Sequence, residues 1–303
     1  MEPVDAQSIE NADFQGGTPK RAVVLRAEVL LDRLHLSPGV IDGLDGDNFS
    51  KAVTVFQRQN GLQPSGLLDA DTWQKLRATQ TGPVLTSYTI DRKDVAGPFV
   101  KKIPAKMEAQ SKLKRLGYHD AVEELAEKFH VSERLLHELD KGAKFTEAGT
   151  RITVPDVAGV DLGDAQVTRI IVEKGARDLL ALGPDDKLVA FFPASVGSSE
   201  KPAPSGTLTI RQVSKNPTYV YNPKYAFKGV HAKHQFRIRP GPNNPVGLVW
   251  IGLRPGEGYG IHGTPEPEKV GKTASHGCVR LTNWDALELA DHVRKGVQVD
   301  FVD

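Results

Sequence analysis

Near its C-terminal end the chain reads Tyr259-Gly-Ile-His262-Gly263-Thr264 and, after a connector, Ala274-Ser275-His276-Gly277-Cys278-Val279-Arg280-Leu281. The second stretch holds Cys278, the only cysteine in 303 residues. If both stretches are extended, residues two apart share one strand face, so His276 and Cys278 can point the same way. His262 can then lie on a neighbouring strand, beside the sulfur.

A nucleophilic cysteine in this position needs a group that activates it. The thiolate is the reactive form, and an unperturbed thiol with a pKa of about 8.5 is only a few per cent ionised at neutral pH. Either imidazole, His262 or His276, can serve as the base. Gly263 and Gly277 allow sharp turns and close approach of a substrate, which leaves backbone amides for a developing oxyanion. These groups together favour acyl transfer.

The pattern His-Gly, connector, Ser-His-Gly-Cys-Val-Arg resembles the active-site signature of the YkuD-type L,D-transpeptidases, which remodel bacterial peptidoglycan through a cysteine thioester. The resemblance implies that Cys278 is the nucleophile and that His262 donates and accepts the proton. It also implies that Ser275, His276 and Gly277 shape the oxyanion pocket and hold the active loop.

Three further residues complete the set implied by the resemblance. Arg280 would steady the loop or meet a carboxylate of the substrate. The carbonyl of Gly263 would orient the His262 ring, although some relatives have serine at that position. Tyr259 is expected to be a loop or substrate-binding residue.

Two other interpretations of the same residues stay open. A lone cysteine is often a small buried hydrophobic residue. His262, His276 and Cys278 could also supply three zinc ligands, but the sequence lacks the short paired spacing typical of zinc sites. We therefore expect no metal and no cofactor.

Composition limits the function classes. The chain is 39% hydrophobic and 25% charged, and its net charge of +1 gives no support for nucleic acid binding. No apolar run approaches the roughly 20 residues that a transmembrane helix needs. The chain begins Met-Glu-Pro-Val-Asp, without a basic and then apolar leader, so an exported protein would have lost its signal peptide. A single cysteine fits the periplasm or cell envelope, where extra thiols can mispair.

The N-terminal part predicts a lead-in and one helical module. Residues 1–19 are polar and are expected to be a disordered lead-in. Residues 20–80 show helical spacing of apolar residues from Ala22 to Leu34, then Phe49, Val53 and Phe56 on one face. This pattern resembles the three-helix peptidoglycan-binding domain.

Residues 86–157 predict a second small module. A short strand signal at residues 88–90 is followed by two helices split at Ser132 and by an alternating strand that ends at Pro155. The order resembles the βααβ fold of LysM modules, which bind glycans containing N-acetylglucosamine. About 30 residues separate the strand from the first helix, and Asp140 stands where the family usually has asparagine. Glycan binding and a purely structural role both stay open.

Residues 165–303 are expected to form the mostly-β catalytic domain. Strand signals occur at residues 168–173, 187–192, 207–210, 248–251 and 297–301, with a loop predicted between the first two. Residues 216–244 are expected to cover the cleft, with Tyr219, Tyr221, Phe227 and Arg239 available to a peptide stem. A helix is expected to start after Thr282 and to end at Gly296.

The sequence therefore predicts a multidomain α+β protein: a three-helix module, a LysM-like module and a YkuD-type catalytic domain. The expected function is transfer of a stem tetrapeptide from a cysteine thioester to an amine, with release of D-alanine. The expected partners are peptidoglycan stem peptides and glycan strands, and an acceptor could be a wall-anchored lipoprotein. A thioester-hydrolysing carboxypeptidase or endopeptidase, and a non-catalytic wall-binding protein, are the alternatives.

Overall fold

The computed structural model describes residues 2–157, 162–198, 201–225, 232–256, 258–275 and 277–303. The chain divides into two compact units. The first comprises Met1–Ala96, Ala121–Gly163 and Ala190–Pro193, and the second comprises Gly97–Asp120, Asp164–Val189 and Ala194–Asp303. Helices dominate the start of the chain and strands its C-terminal part, which confirms the predicted α+β class. Within the described ranges, no helix has both the length and the apolar character needed to cross a membrane.

The regular elements are labelled in chain order. The α-helices are α1 (Ala6–Glu10), α2 (Arg21–Arg33), α3 (Asp47–Gln59), α4 (Ala70–Ala78), α5 (Met107–Gln110), α6 (Ala121–Lys128), α7 (Glu133–Leu139) and α8 (Asn283–His292). The strands are β1 (Leu85–Thr89), β2 (Arg151–Pro155), β3 (Arg169–Glu173), β4 (Asp178–Leu182), β5 (Leu188–Pro193), β6 (Ser195–Val196), β7 (Gly206–Lys215), β8 (Tyr219–Tyr221), β9 (Phe236–Ile238), β10 (Val249–Arg254), β11 (Gly260–His262), β12 (Val279–Arg280) and β13 (Gln298–Val302).

The predicted disorder of residues 1–19 is wrong over α1. The carboxylate of Asp5 accepts a hydrogen bond from Ser8 N at 2.7 Å, and the Ser8 hydroxyl accepts one from Asp5 N at 2.9 Å. Ile9 is buried and packs where α1 contacts α2. A reciprocal cap and one buried apolar side chain order this short helix, although the stretch is polar in composition.

Helices α2, α3 and α4 enclose the core predicted for the three-helix module. Leu30 and Leu31 of α2, Phe49 and Phe56 of α3, and Trp73 of α4 are all buried. Each helix buries the face on which its apolar residues recur every three to four positions, so burial of that face is the main source of its stability.

Gln57 fixes the loop between α3 and α4. Its side chain is fully buried, and Nε2 donates to Leu67 O and to Thr72 Oγ1, both at 2.9 Å. Its Oε1 accepts from Gly66 N at 2.9 Å. One amide therefore satisfies polar groups at two positions of a loop that has little regular structure of its own and at one position in the first turn of α4.

The order β1, α6, α7, β2 follows the strand-helix-helix-strand pattern predicted for the LysM-like module. The two strands pair antiparallel, from Leu85 opposite Pro155 to Thr89 opposite Arg151. The Asp140 carboxylate accepts from Thr153 N at 2.7 Å, so this residue ties the end of α7 to β2. Glycan binding by this module stays a prediction.

Most of the stretch between β1 and α6 lies outside the unit that contains these four elements. Residues 97–120 belong to the second unit, with α5 packed against β9. Leu116 N donates to Pro240 O at 3.0 Å, and Asn243 N donates to Leu116 O at 3.0 Å. We call residues 97–120 the insertion.

Nine of the strands form one sheet, in the order β5-β4-β3-β13-β7-β10-β11-β12-β6. The strand β13 pairs parallel with β3, and β11 pairs parallel with β12. The loop predicted between residues 173 and 187 contains β4, whose Leu179 and Ala181 are fully buried. The run is apolar on both faces, so it lacks the alternation that marks a strand half-exposed to water.

Helix α8 follows the active-site strands. The Thr282 hydroxyl accepts from Asp285 N at 3.1 Å, as expected for an N-cap. The helix ends at His292, with Val293 in an extended conformation, which is earlier than the predicted end at Gly296. Trp284, Ala286 and Leu289 form its buried side.

Replacing Gln57 tests the hydrogen-bonded loop of the three-helix module. Gln57→Leu leaves Gly66 N, Leu67 O and Thr72 Oγ1 without their buried partner, so we expect the free energy of opening of α3 and α4 to fall by about 2–3 kcal/mol. Hydrogen exchange of the amides in these helices measures it. The exposed Gln74 is the matched control, because Gln74→Leu is expected to change that free energy by less than about 0.5 kcal/mol. Equal protection in the two variants would contradict the role of Gln57.

Candidate active site

The parallel pairing of β11 with β12 builds the site. Ile261 pairs with Val279 and His262 pairs with Arg280. Paired residues of adjacent strands point to the same side of a sheet, and residues two apart along a strand share that side. His262 and Arg280 therefore share one face. Cys278 immediately precedes β12, and the backbone N–H of Gly260, two positions before His262, bonds to its sulfur. Cys278 and His262 thus both lie at the β11–β12 pair.

The Cys278 thiol is half-buried at the edge of this face. Its Sγ donates a hydrogen bond to Gly258 O at 3.4 Å. Burial raises the pKa of the Cys278 thiol, while the Gly260 amide and the charges of Lys201 and Arg280 act in the opposite direction. The resting thiol is therefore neutral at neutral pH, and positive charge nearby favours the thiolate once a proton acceptor takes the proton.

His262 is almost fully buried, with 5% of its surface exposed. Its Nδ1 lies 2.6 Å from Gly263 O, and a carbonyl oxygen can only accept, so Nδ1 carries the proton. Nε2 then has a free lone pair. Burial, reinforced by Arg280, lowers the pKa of His262 to about 4, and the hydrogen bond to Gly263 opposes this. At neutral pH the ring is a neutral base of fixed orientation.

The indole ring of Trp250 stacks on the imidazole ring of His262. The two residues pair across β10 and β11, and their ring centroids are 5.7 Å apart with an interplanar angle of 23°. The same indole covers Gly260, where a Cβ would come within 2.7 Å of it. Trp250 therefore holds the imidazole plane. Trp250 lies in a stretch with an ordinary strand pattern, so the sequence did not predict this contact.

Gly277 occupies a tight turn directly before the cysteine. Its φ is +92°, a left-handed conformation that favours glycine. A Cβ here would lie 3.3 Å from Lys201 Cγ, 3.4 Å from Pro202 O and 3.5 Å from Tyr259 Cε1. Tyr259 therefore borders the active loop, as expected, and Lys201 is a neighbour that the sequence analysis did not identify.

Ser275 holds the loop from the other end. It is 2% exposed, its N–H donates to Gly197 O at 2.9 Å, and its hydroxyl donates to the carbonyl of Cys278. The side chain that was expected to shape the loop thus bonds to the backbone of Cys278.

Arg280 is half-buried and acts on both reactive groups. Its positive charge lowers the pKa of His262 and the pKa of Cys278. Burial in turn lowers the pKa of Arg280. This residue therefore keeps the imidazole neutral and favours the thiolate. The first effect weakens the proton acceptor and the second strengthens the proton donor, so the two oppose each other in proton transfer from sulfur to nitrogen.

Asn283, at the start of α8, supports the end of β11. Its Oδ1 accepts from Leu248 N at 3.0 Å and its Nδ2 donates to Pro242 O at 3.2 Å. A Cβ on Gly263 would lie 2.3 Å from Asn283 Oδ1, so this chain needs glycine where some relatives have serine. The role of Asn283 depends on contacts with three separate segments and was not predicted.

Residues 216–244, which we call the lid, contain the antiparallel pair β8 and β9. Burial raises the pKa of Tyr219, and the charge of Cys278 raises it further, so the two side chains interact electrostatically. Tyr221 is buried and stacks on Phe236 with ring centroids 4.6 Å apart. The expected contact of Tyr219 with a peptide stem stays a prediction, and Phe227 lies outside the described residues.

His276 also lies outside the described residues, so its expected role as a base or loop residue stays a prediction. The zinc alternative depends on the same side chain. In the part of the chain that the structure describes, no group of three or more His, Cys, Asp or Glu residues could hold a metal ion.

Comparison with known proteins agrees with this geometry. The profile of the L,D-transpeptidase catalytic domain, YkuD, matches residues 167–300, and that of a peptidoglycan binding domain matches residues 20–76. A Bacillus licheniformis protein bearing the name L,D-transpeptidase YkuD is 30% identical over 182 residues, which cover 59% of this chain and 92% of that protein.

One further relative and one solved structure are matched over a smaller share of their own length. ErfK/SrfK of Escherichia coli K12, named a probable L,D-transpeptidase, is 31% identical over 162 residues, which cover 52% of this chain and 50% of that protein. The crystal structure of L,D-transpeptidase 3 from Mycobacterium tuberculosis covers 52% of this chain and 76% of its own, at 16% identity and a TM-score of 0.38. On the matched domain and its relatives, the chain belongs to the YkuD family of L,D-transpeptidases, with a peptidoglycan-binding domain near its N-terminus.

Proposed function

We propose that this L,D-transpeptidase acts through a thioester on Cys278, with His262 as the proton carrier. The observation that carries the proposal is the parallel pairing of β11, which holds His262, with β12, which directly follows Cys278, combined with a His262 tautomer whose Nε2 is free to accept a proton. The substrate is a peptidoglycan stem tetrapeptide. The bond that breaks joins its third, diamino-acid residue to the terminal D-alanine.

The first half-reaction forms the thioester. Nε2 of His262 takes the thiol proton as Sγ of Cys278 attacks the carbonyl carbon, and the carbonyl oxygen becomes an oxyanion. Backbone amides near Gly277 and Cys278 are suited to donate to it, and loss of such a donor typically costs about 10²–10³ in rate. The C–N bond then breaks, and D-alanine leaves with the proton held by His262.

The second half-reaction transfers the acyl group. An amine attacks the thioester carbonyl, His262 accepts the proton of the amine, and the Cys278 thiol is restored with that proton. The amine of a neighbouring diamino-acid residue gives a 3-3 cross-link. Attachment of a wall-anchored lipoprotein would follow the same chemistry with a different amine, and it remains a prediction.

Burial supports a mechanism that starts from neutral groups. The pKa of Cys278 is raised and that of His262 is lowered, so a stable thiolate-imidazolium pair is disfavoured before the substrate binds. Charge develops only as the carbon-sulfur bond forms. Lys201 and Arg280 favour the negative sulfur at that moment.

The peptidoglycan-binding domain supports action in the cell envelope. Residues 20–76 match a domain of this description, and the catalytic unit follows in the same chain. Retention on the wall would raise the local concentration of stem peptides near the catalytic unit. We therefore place the enzyme in the periplasm or envelope.

A product assay tests the proposed function. Incubation with a disaccharide tetrapeptide is expected to give cross-linked dimers and free D-alanine, identified by mass. Cys278→Ala should abolish turnover because it removes the nucleophile, and His262→Ala should slow it by at least about 10². Tripeptide without dimers would identify a hydrolase instead, and full activity of Cys278→Ala would refute the mechanism.

The pH dependence of thioester formation tests the environment of His262. The base is active when neutral, and its pKa is about 4, so the rate should hold as the pH falls below neutral and decline only near pH 4. Arg280→Gln removes a charge that lowers this pKa, so the decline should begin at higher pH. Intact mass of the acylated protein, sampled during a single turnover, provides the rate. A decline centred on the ordinary histidine value of 6.5 in the unmodified enzyme would contradict this account.

Substitution of Trp250 tests its positioning role. Trp250→Leu removes the stacked ring that restricts His262, and a poorly oriented base should lower kcat by about tenfold. It also admits water, so the acid decline in rate should move to higher pH. Trp250→Phe keeps an aromatic face and should recover most of both properties. Equal kcat and pH profiles for the leucine and phenylalanine variants would show that stacking has no part in catalysis.

A further inference from the structure

The insertion is strongly basic, although the chain as a whole is not. Residues 97–120 contain six Lys and Arg and two Asp and Glu, a net charge of +4, so the rest of the chain carries −3 against a total of +1. The lid has the same character. Its residues 216–244 include five Lys and Arg and no acidic residue.

Besides Lys224, which follows β8, nine of these cations are exposed and described by the structure. They are Lys101, Lys102, Lys106, Lys112, Lys114 and Arg115 of the insertion, and Lys233, Arg237 and Arg239 of the lid. Within the described ranges, none of the nine forms an ion pair with a carboxylate. Surface cations that serve solubility are commonly interspersed with a similar number of acidic residues. These two segments together hold eleven Lys and Arg and only two acidic residues.

Backbone contacts join the two basic segments. Arg115 and Arg239 each precede one partner of the hydrogen bond from Leu116 N to Pro240 O, which is 3.0 Å long. The two segments approach so closely here that a Cβ on Gly241 would lie 2.0 Å from Leu116 O. The Asn243 side chain adds a bond to Gly117 O at 3.1 Å.

Helix α5 makes a second junction between them. It packs against β9, and its N-cap residue is Lys106. On β9, Ile238 is buried while the neighbouring Arg237 is exposed, as expected from alternation along a strand. Cations of the insertion and of the lid therefore occur together at both junctions.

We infer that these nine residues, the basic platform, bind the carboxylates of stem peptides on a peptidoglycan strand as it enters the cleft. The inference rests on the proposed function and adds a binding surface to it. A stem that ends in D-alanine has a free terminal carboxylate, so a glycan strand with many stems is a polyanion. Arg237 of the platform lies on β9, and β9 pairs with β8. Tyr219 of β8 interacts electrostatically with Cys278.

The contacts at such a surface are individually weak. An exposed ion pair contributes about 0–1 kcal/mol, so a single stem would be held loosely. Several stems on one strand engage several cations together, which raises the overall affinity. The platform therefore favours polymeric substrate over isolated fragments, and salt should weaken the binding.

Charge removal in an inactive background tests the inference. In Cys278→Ala protein, Lys112→Gln, Lys114→Gln and Arg115→Gln together should weaken co-sedimentation with purified sacculi by about tenfold at low salt. The matched control removes three exposed cations elsewhere in the second unit, by Lys187→Gln, Arg211→Gln and Lys295→Gln. The control should bind as the parent does, and the peptidoglycan-binding domain is the same in all three proteins.

A second variant guards against a folding defect. Lys101→Gln, Lys102→Gln and Lys106→Gln alter a different part of the platform and should cause a loss of similar size. All six substituted side chains are exposed, so circular dichroism should be unchanged. Equal binding of the control and both platform variants would overturn the inference.

The chemical source of the negative charge is tested on the sacculi. Amidation of their carboxylates should remove the difference between platform variants and control, whereas stripping of phosphodiester polymers should leave it intact. The reverse result would assign the platform to a phosphate polymer and overturn the stem-peptide inference. Because these assays need no turnover, their outcome is independent of whether the thioester mechanism holds.

Discussion

The parallel pairing of β11 with β12 is the constraint on which the site depends. It places His262 opposite Arg280 and starts β12 directly after Cys278, whose sulfur accepts from the Gly260 amide, so the thiol, the imidazole and a cation occur together. Strands β10 and β6 flank this pair in the sheet, which makes the position internal rather than an edge. A slip of one residue would turn either reactive side chain to the opposite face.

Burial then determines the chemistry of the paired groups. A buried imidazole and a half-buried thiol both favour their neutral forms. Fixed dipoles and charges of the protein, rather than water, would stabilise the charges that develop in the proposed reaction. The Gly263 carbonyl sets the tautomer, Trp250 holds the plane of the ring, and Arg280 keeps the ring neutral. The site is thereby organised before a substrate arrives.

Local patterns predicted most of the fold, and long-range contacts account for what they missed. The active-site strands and the three-helix core follow from short motifs and apolar spacing. Trp250 and Asn283 contact β11 or its end, and Lys201 approaches Gly277. All three come from other segments, so no local pattern marks them. The order of α1 depends on packing against α2, and the basic character of residues 97–120 is hidden in a net charge near zero.

The central claim is that the sulfur of Cys278 becomes covalently acylated, with the neutral His262 of β11 as its proton acceptor. The most direct measurement is the intact mass of the enzyme after mixing with a defined stem tetrapeptide, followed by peptide mapping. The account predicts an adduct equal to the substrate less D-alanine, located on the peptide that contains Cys278. Turnover with no covalent adduct, or an adduct on any other residue, would contradict it.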